Sequence, residues 1–332
     1  MNASTRVDGR TGTTGPQPPS STGRSVTAVA LLLLALTPAL VGCTAGHEVS
    51  GARLSAGAQH TCALEADGSV HCWGARSPVA DAGQTRPPAD LRLAVVSAGV
   101  WHTCGLTDRG EAACWGAPEG FDFAAGQAEV PAGHTFSEIA AGGLHTCALD
   151  ADGGIVCWGA QGEFDAGQAD PPSGTGYHGL TAGTLSSCAL DADGTPVCWG
   201  APDLGGELQI GGLTLQAVAA GFAHACGLLL TGAPVCWGQD DERQASPPAD
   251  LTLTTVSAGD AHTCGLDEAG RAVCWGAQAL EDYGQTDAPE DLTFLDLSAG
   301  ARHTCGRTED DRVVCWGTNI DGQTSVRLPG QQ

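Results

Sequence analysis

The sequence predicts an all-β fold, a seven-bladed β-propeller with about four short antiparallel strands in each blade. Three observations support this prediction. Downstream of residue 43, 14 cysteines form seven pairs, and the two members of every pair are ten positions apart. Successive pairs begin 38 to 43 residues apart, and each second cysteine is followed by Trp-Gly. A period near 40 residues is typical of propellers and solenoids, and seven such units would close into a ring.

Each repeat begins with a short apolar segment that ends in small residues. Examples are LAVVSAG at 93–99, LTTVSAG at 253–259 and FLDLSAG at 294–300. Because the Ser-Ala-Gly end is small enough to approach a crowded axis, this segment is predicted to be the first strand of a blade. The first repeat lacks a full leading segment, and the tail GQTSVRLPG at 322–330 is a candidate to supply it and to close the ring.

A β-hairpin is predicted around each cysteine pair. Six residues after the first cysteine stands a glycine in six repeats, and Asp311 in the seventh. A three-residue hairpin loop ends in a residue with positive φ. Glycine adopts positive φ readily, and aspartate tolerates it better than most residues. With residues 66–68 as that loop, Cys62 faces Cys72. Directly opposed Cβ atoms lie about 4.5–5.5 Å apart, which is near disulfide range.

We therefore predict seven cross-strand disulfides, each closing a loop of about ten residues and contributing about 2.5 kcal/mol. The alternative is metal binding by His60, Cys62 and Cys72. Zinc sites usually have a C-x2-4-C spacing, and the fourth repeat has Ser186 in place of the histidine. The predicted pairs are Cys62–Cys72, Cys104–Cys114, Cys147–Cys157, Cys188–Cys198, Cys226–Cys236, Cys264–Cys274 and Cys305–Cys315.

Both faces of the predicted hairpin are apolar. Leu64 and Val70 lie beside the bridge, and Ala63 and Trp73 lie on the other face. A sheet that is buried on both faces lies between neighbours, as a propeller blade does. An outer segment with Gly-Gln and prolines follows, such as GQTRPPADL at 83–91. Prolines suit edge strands and loops, so this segment is predicted to complete the blade.

The repeat pattern SAGxxHTCAL…DG…VxCWG…GQ resembles the repeat of the regulator of chromosome condensation (RCC1-like) family. The likeness covers nearly all of residues 50–328 and implies a seven-bladed propeller. The added cysteines are also similar to the extracellular repeats of crinkly-type receptor kinases, and the secreted β-lactamase inhibitor protein II is a similar propeller. The motifs of the first copy are Gly57 to Thr61, Asp67-Gly68, Trp73-Gly74 and Gly83-Gln84.

The chain departs from the family pattern in two repeats. Repeat four lacks both the histidine and the Gly-Gln, and repeat five has Arg243-Gln244. The family's nucleotide exchange on a nuclear GTPase and its chromatin binding require a nucleus and favour a basic face. This chain is predicted to be exported and is acidic, so these activities are not expected of it.

The N-terminal segment predicts export. Residues 1–25 are polar and contain arginines, and an apolar stretch then runs from Val26 to Cys43. This stretch is too short and too interrupted by proline for a membrane span of about 20 residues, and it fits a secretion signal. Its end, Leu-Val-Gly-Cys, resembles the bacterial lipoprotein lipobox. The resemblance implies cleavage before Cys43 and acylation of its thiol and new N-terminus; an ordinary signal peptide is the alternative.

The predicted domains are a lipoprotein signal peptide at 1–42, a lipidated tether at 43–52 and the propeller at 53–332. The mature protein is expected on the bacterial cell envelope, at the outer membrane or the cell surface. The chain has 38 acidic and 14 basic residues, and its formal charge is −24. Such a surface repels nucleic acids and anionic lipid head groups. No nucleic-acid partner is therefore expected, and membrane contact is expected only through the lipid.

No catalytic signature is present in the sequence. It has no HExxH, GxSxG or Walker loop, and no lysine for Schiff-base chemistry. No catalytic, cofactor-binding or metal-binding residue is therefore predicted. DADG at 150–153 and 191–194 resembles a calcium loop, but the glutamate expected near the end of that loop is absent, so these are hairpin turns.

One histidine position recurs in six repeats, and a residue repeated this often favours a structural role. We predict that the rings hydrogen-bond backbone between blades. The alternative is a ring of histidines that lines the channel and binds a metal. The six residues are His60, His102, His145, His224, His262 and His303.

The remaining candidates lie in loops that vary from blade to blade, where binding usually resides. Aromatic residues near acidic ones suit a protein-binding face; the alternative is that the aromatics pack under their own loops. We predict a non-catalytic, monomeric module that binds or scaffolds a protein or polymer. A channel-mouth lyase or hydrolase and a purely structural or adhesion protein are the alternatives. The candidate residues are Trp101, Phe121, Phe123, Phe164, Asp240, Asp241 and Tyr283.

Overall fold

The computed structural model describes residues 51–201, 212–278 and 281–329, apart from the side chain of residue 164. The described residues lie in one compact unit. They form seven three-stranded antiparallel sheets, and in each sheet the strands follow one another in chain order. The prediction of an all-β, seven-bladed propeller is confirmed, with one blade for each cysteine pair.

The strands are short and recur at the same place in every repeat. The first strands are β1 Leu54–Ala56, β4 Val95–Ala98, β7 Glu138–Ala141, β10 His178–Ala182, β13 Leu215–Ala220, β16 Thr255–Ala258 and β19 Asp296–Ala299. The second strands are β2 His60–Leu64, β5 His102–Leu106, β8 His145–Leu149, β11 Ser186–Leu190, β14 His224–Leu229, β17 His262–Leu266 and β20 His303–Arg307. The third strands are β3 Val70–Gly74, β6 Ala112–Gly116, β9 Ile155–Gly159, β12 Pro196–Gly200, β15 Pro234–Gly238, β18 Ala272–Gly276 and β21 Val313–Gly317. One 3-10 turn, Gly162–Phe164, is also present.

The hairpins have the predicted register. In β2–β3, Leu64 pairs with Val70 and Cys62 with Cys72. Gly68 closes the turn by donating its N–H to the Glu65 carbonyl at 3.0 Å, and its φ is 79°. Asp311 adopts the same conformation in the last blade, with a φ of 62°. The turn and the cysteine spacing therefore fix the same register in all seven blades.

All seven disulfides are present. The paired Cα atoms lie 4.0–4.1 Å apart, as in the closely spaced, non-hydrogen-bonded pairs of an antiparallel ladder. The first cysteine of each pair is completely buried, since Cys62 and its counterparts are 0% exposed. Each bridge therefore lies inside the layer between two blades and closes its own hairpin.

Neighbouring blades pack the disulfide face of one sheet against the tryptophan face of the next. Cys62 and Leu64 of the first blade pack with Leu93 and with Trp115 of the second blade. The same arrangement joins Cys226 to Trp275 and Cys264 to Trp316. Each blade therefore buries both of its faces, which explains why the hairpins carry no polar face.

The recurring histidines join the blades, but through side chains and not through the predicted backbone partners. His60 Nε2 lies 2.8 Å from Thr103 Oγ1 of the next blade. The Thr103 hydroxyl donates to the Gln84 carbonyl at 3.0 Å, so it accepts from the Nε2–H of His60. The same carbonyl accepts the indole N–H of Trp115 at 2.8 Å. In the described residues, five of the seven interfaces have this side-chain relay, which ends on a glutamine carbonyl.

The ring closes through the same contacts. His303 Nε2 of the seventh blade lies 2.8 Å from Thr61 Oγ1 of the first. Nearer the axis, Ala301 N donates to the Gly57 carbonyl at 3.2 Å, and Ala58 N donates to the Gly99 carbonyl at 3.2 Å. A Cβ on Gly57 would lie 2.4 Å from that Gly99 oxygen. Small residues are therefore required where the first strands meet the axis, as predicted.

The predicted fourth strand is wrong for the described residues. The outer segment after Gly83 forms turns, because prolines lack the N–H that a ladder requires and Gly83 has a φ of 85°. The Gln84 side chain folds back and bonds Ala82 N at 2.7 Å and the Ala80 carbonyl at 2.6 Å. The outer segment therefore presents the Gln84 main-chain carbonyl to the next blade instead of a strand edge.

The C-terminal tail closes the ring differently from the prediction. The first blade has its own first strand, β1, so the tail does not supply one. Instead, the Gln323 carbonyl accepts from Trp73 Nε1 at 2.8 Å and from Thr61 Oγ1 at 3.1 Å. Leu328 packs with Leu54 and Trp73 in one core cluster. The tail thus takes, for the first blade, the role that Gln84 has for the second.

The interface between blades four and five differs from the other six. Ser186 replaces the histidine, and Ala225 stands where the next blade would offer a hydroxyl. Within the described ranges, Ser186 Oγ and Trp237 Nε1 are buried without a hydrogen-bond partner. The two substitutions are complementary. With Ala225 in place of the hydroxyl, a histidine at position 186 would have a buried imidazole N–H without an acceptor.

Candidate functional site

The two ends of the sheets carry different loops. We call one end the loop face: it carries the loops between first and second strands and the segments after Trp-Gly. The other end, the turn face, carries the hairpin turns and the residues that lead into each first strand. The described loop-face residues are 57–59, 75–83, 99–101, 117–126, 142–144, 160–167, 183–185, 221–223, 239–243, 259–261, 277–278, 281–284, 300–302 and 318–322.

Three predicted binding residues form one aromatic cluster on the loop face. Trp101 stacks on Phe123 with ring centroids 5.1 Å apart and planes 1° apart. Phe121 packs edge-on against both, at 5.4 Å from Trp101 and 5.9 Å from Phe123. Phe123 is 40% exposed, while Trp101 and Phe121 are half-buried. The cluster thus forms an apolar platform with one ring open to solvent.

The loop that carries the two phenylalanines is held by backbone hydrogen bonds. Phe121 N donates to the Pro118 carbonyl at 3.0 Å, and Ala124 N donates to the Phe121 carbonyl at 2.9 Å. Gln127 Nε2 donates to the Phe123 carbonyl at 2.8 Å. The platform is therefore pre-organised, which lowers the ordering entropy that a partner would have to offset.

Tyr283 lies on the loop face in another blade. It is 38% exposed, and the Arg302 guanidinium lies 4.9 Å from its ring centroid. Arg302 also pairs with Glu281 at 2.8 Å. Tyr283 therefore belongs to a second, more polar cluster.

The two predicted aspartates hold their own loop. Asp240 accepts hydrogen bonds from Ala245 N at 2.9 Å and from Ser246 Oγ at 2.6 Å. Asp241 accepts from Gln239 Nε2 at 2.9 Å. The side chain of Phe164 lies outside the described structure. Of the seven predicted residues, the structure thus brings three together and places three elsewhere on the loop face.

The loop face also carries apolar residues that are absent from this set. Eight large hydrophobic side chains are exposed in the described structure, and six of them lie on the loop face. Besides Phe123 and Tyr283 these are Val79, Leu185, Phe222 and Ile320. Val79 and Ile320 could have been identified from the sequence, because each is an apolar residue in a polar loop after Trp-Gly. The exposed large apolar side chains of the described residues are therefore concentrated on the loop face.

A central channel runs between the first strands. One section, of about 310 Å³, is lined by residues of the seven first strands. A narrower section at the loop face, of about 90 Å³, is lined by the Ala-Gly ends of those strands and by Asp260. Burial raises the pKa of Asp260 to about 6. The positive charge of Arg302 lowers this pKa, and the negative charge of Glu281 raises it.

The six histidines lie between blades and do not line the channel, so the alternative of a metal-binding ring is wrong. All six side chains are 0% exposed. Burial lowers the pKa of each ring below that of a free histidine. The pKa is about 3 for His60, His102, His262 and His303, and about 4 for His145 and His224. Within the described ranges, no three His, Cys, Asp or Glu side chains are grouped to hold a metal ion. The histidines are structural links.

The part of the chain that the structure describes contains no helix of the length and hydropathy needed to cross a bilayer.

Five segments match the model of the regulator of chromosome condensation (RCC1) repeat: residues 52–76, 94–119, 136–164, 253–285 and 294–323. The chain is similar to the crystal structure of the entire ectodomain of the receptor kinase CR4 from Physcomitrella patens. The identity is 28%, the TM-score is 0.64, and the match covers 80% of this chain and 72% of that one.

It is also similar to the CRINKLY WD40 ectodomain of the receptor kinase ACR4 from Arabidopsis thaliana, with 26% identity, a TM-score of 0.61, and coverage of 81% of this chain and 97% of that one. Prp20p from Saccharomyces cerevisiae shares the fold, with 17% identity and a TM-score of 0.58. That match covers 75% of this chain and 80% of Prp20p. No curated protein matches the chain.

Proposed function

We propose that this chain, in which five segments match the RCC1 repeat, is an exported scaffold whose loop face binds another protein. Seven disulfides suit an oxidising compartment, and two similar structures are receptor ectodomains. Prp20p, which has this fold, binds Gsp1p and histones. A propeller of this kind can therefore serve as a protein-binding scaffold.

The observation that carries the proposal is the aromatic platform of Trp101, Phe121 and Phe123. A rigidly held aromatic cluster with a ring open to solvent is a typical centre of a protein interface, because such rings bury much area at little entropic cost. They lie on the face that holds most of the exposed apolar side chains. The turn face has only Leu230 and Leu295 of that set in the described residues.

A binding role fits the channel mouth better than a catalytic one. Asp260 is the single carboxylate among the residues that line the narrow section. The other carboxylate near Asp260, Glu281, is paired with Arg302, so the described residues at the mouth do not make a base–nucleophile pair. We therefore assign the protein no chemistry of its own and no cofactor, and propose a monomeric propeller at 53–332.

The loop-face assignment is tested by capture from envelope extracts, followed by affinity measurement with the captured protein after its purification. We expect the Trp101→Ala/Phe123→Ala variant to bind that partner at least about 30-fold more weakly, the loss of about 2 kcal/mol typical of an interface hot spot. The matched control is Leu230→Ala/Leu295→Ala, which removes exposed apolar side chains from the turn face. Weaker binding by the control alone would contradict the assignment.

We also propose that the protein is a lipoprotein with a signal peptide at 1–42 and a lipidated tether at 43–52. The motif lies outside the described residues and is supported by its sequence alone. Several acyl chains make a stable anchor because each buried CH2 contributes about 0.8 kcal/mol. Cys43→Ser is therefore expected to release the protein from membranes into the soluble fraction. Wild-type protein whose intact mass shows no acyl group would exclude the anchor.

A further inference from the structure

The mouth of the channel has a ring of seven equivalent positions, each directly after the glycine that ends a first strand. Six of them hold uncharged residues, and the seventh holds Asp260. The ring is Ala58, Val100, Gly143, Thr184, Phe222, Asp260 and Ala301. A single ionisable residue in an otherwise uncharged ring is a departure from the repeat and requires its own explanation.

The carboxylate of Asp260 is not neutralised by its neighbours. Its main-chain N–H donates to the Ala301 carbonyl at 3.2 Å, which holds the residue against the seventh blade. Among the described residues its carboxylate takes part in no hydrogen bond or ion pair. The nearby charges are Arg302 and Glu281, and these two pair with each other at 2.8 Å. One negative charge is therefore left over at the mouth.

An exposed aromatic residue, Phe222, occupies the position of the ring next to Asp260. Phe222 N donates to the Gly259 carbonyl at 3.3 Å, which places the Phe222 loop against the residue before Asp260. Phe222 is 45% exposed. Arg302, which acts on Asp260, lies over the ring of Tyr283. A carboxylate with an exposed aromatic residue at the neighbouring position is a favourable environment for a cation, which gains from both the charge and the ring face.

The size of the mouth limits what can reach the carboxylate. The narrow section has a volume of about 90 Å³ and walls of glycine and alanine. It admits the end of one side chain and excludes a folded segment. A net charge of −24 on the whole chain also favours a basic partner.

We propose that Asp260 receives one cationic side chain, of lysine or arginine, from the protein that the loop face binds. This inference rests on the proposed function and names the chemistry of the partner. The cationic group enters the channel mouth and takes the position opposite Asp260.

The first test uses the full chain with 13C-labelled aspartate and needs no partner. The Asp260 carboxyl signal is assigned by its loss in Asp260→Asn and is followed against pH. Nα-acetyl-lysine amide, Nα-acetyl-arginine amide and the uncharged Nα-acetyl-norleucine amide are added separately in excess. We expect a cationic probe to lower the pKa of Asp260 and norleucine amide to leave it unchanged. The lysine and arginine arms identify which side chain fits.

Binding of the cationic probe is expected to be about tenfold weaker in Asp260→Asn, because a charge-assisted hydrogen bond is lost. Asp122→Asn, an exposed loop-face carboxylate in another blade, is the control and is expected to bind as wild type. Phe222→Ala provides a second variant that keeps the charge, and we expect severalfold weaker binding. A pKa of Asp260 that neither cation shifts would overturn the proposal.

The two proposals fail separately. If a captured partner depends on Trp101 and Phe123 but binds Asp260→Asn as it binds wild type, the cationic site is wrong and the scaffold function stands. If no partner is captured while the lysine or arginine probe shifts Asp260, the cation site stands and the identification of a protein partner fails.

Discussion

Reduction of the seven disulfides is expected to unfold the propeller at room temperature. Each bridge closes a hairpin of about ten residues and contributes about 2.5 kcal/mol in the chain-entropy model. Seven such contributions, about 17 kcal/mol if they add, exceed the 5–15 kcal/mol by which a typical domain is stable. The blades have little to replace them with, because each sheet has only three short strands. Tryptophan fluorescence during a titration with reductant measures the transition.

A single-blade variant separates the disulfides from other effects of the reductant. Cys188→Ala/Cys198→Ala removes one bridge and is expected to lower the free energy of unfolding by about 2.5 kcal/mol, with a further loss from the small cavity at the buried Cys188. Urea denaturation without reductant measures this difference. A fully reduced and alkylated protein that keeps the native unfolding midpoint would refute the stapling role.

Acid is expected to destabilise the protein steeply below about pH 6.5, the ordinary pKa of histidine. Burial lowers the pKa of six histidines to about 3 or 4. Below pH 6.5 the unfolded chain therefore binds protons that the folded chain cannot, so stability falls as pH falls until the folded pKa is reached. Each histidine contributes a slope of up to about 1.4 kcal/mol per pH unit.

Two aspartates oppose this trend. Burial raises the pKa of Asp260 to about 6, and burial also raises the pKa of Asp296. Protonation of these two aspartates on acidification favours the folded state. The six histidines outnumber them, so the destabilising effect of acid is larger. Urea denaturation between pH 7.5 and 4.5 is therefore expected to show a net loss that is comparable with the whole stability of a domain.

The slope of stability against pH identifies the histidines responsible. His102→Gln keeps an N–H donor for Thr146 and is expected to lower the slope by about 1.4 kcal/mol per pH unit between pH 4 and 6.5. His178→Gln, at an exposed position, is the control. A stability that stays constant from pH 7 to 5 would show that the buried rings accept protons in the folded chain.

The local structure of each blade could be predicted from the sequence. The register that pairs Cys62 with Cys72 follows from a spacing of ten residues and a turn that requires positive φ at Gly68. The sequence predicts the same conformation at Asp311 because aspartate tolerates positive φ better than most residues. These features depend on residues close together in the chain, so the sequence pattern contains all the information they need.

Contacts between distant residues were predicted less well. The tail was expected to add a strand, but Gln323 offers its carbonyl to Trp73, 250 residues away. The histidines were expected to bond backbone, but a threonine of the next blade lies within reach of each of five rings and Ser187 within reach of His145. The outer segment was expected to be a strand, but its hydrogen bonds go to the neighbouring blade.

By itself, the sequence determined the number of blades, their disulfides, their hairpin turns and the set of variable loops that hold the candidate residues. Only the tertiary structure decided that Trp101, Phe121 and Phe123 meet and that Asp240 is engaged in its own loop. It also decided that, among the described residues, Asp260 is the one charged residue lining the narrow section of the channel. The physical reason is that hairpins form from local turn geometry and strand pairing, whereas loop contacts depend on how closed blades bring residues from different repeats together around one axis.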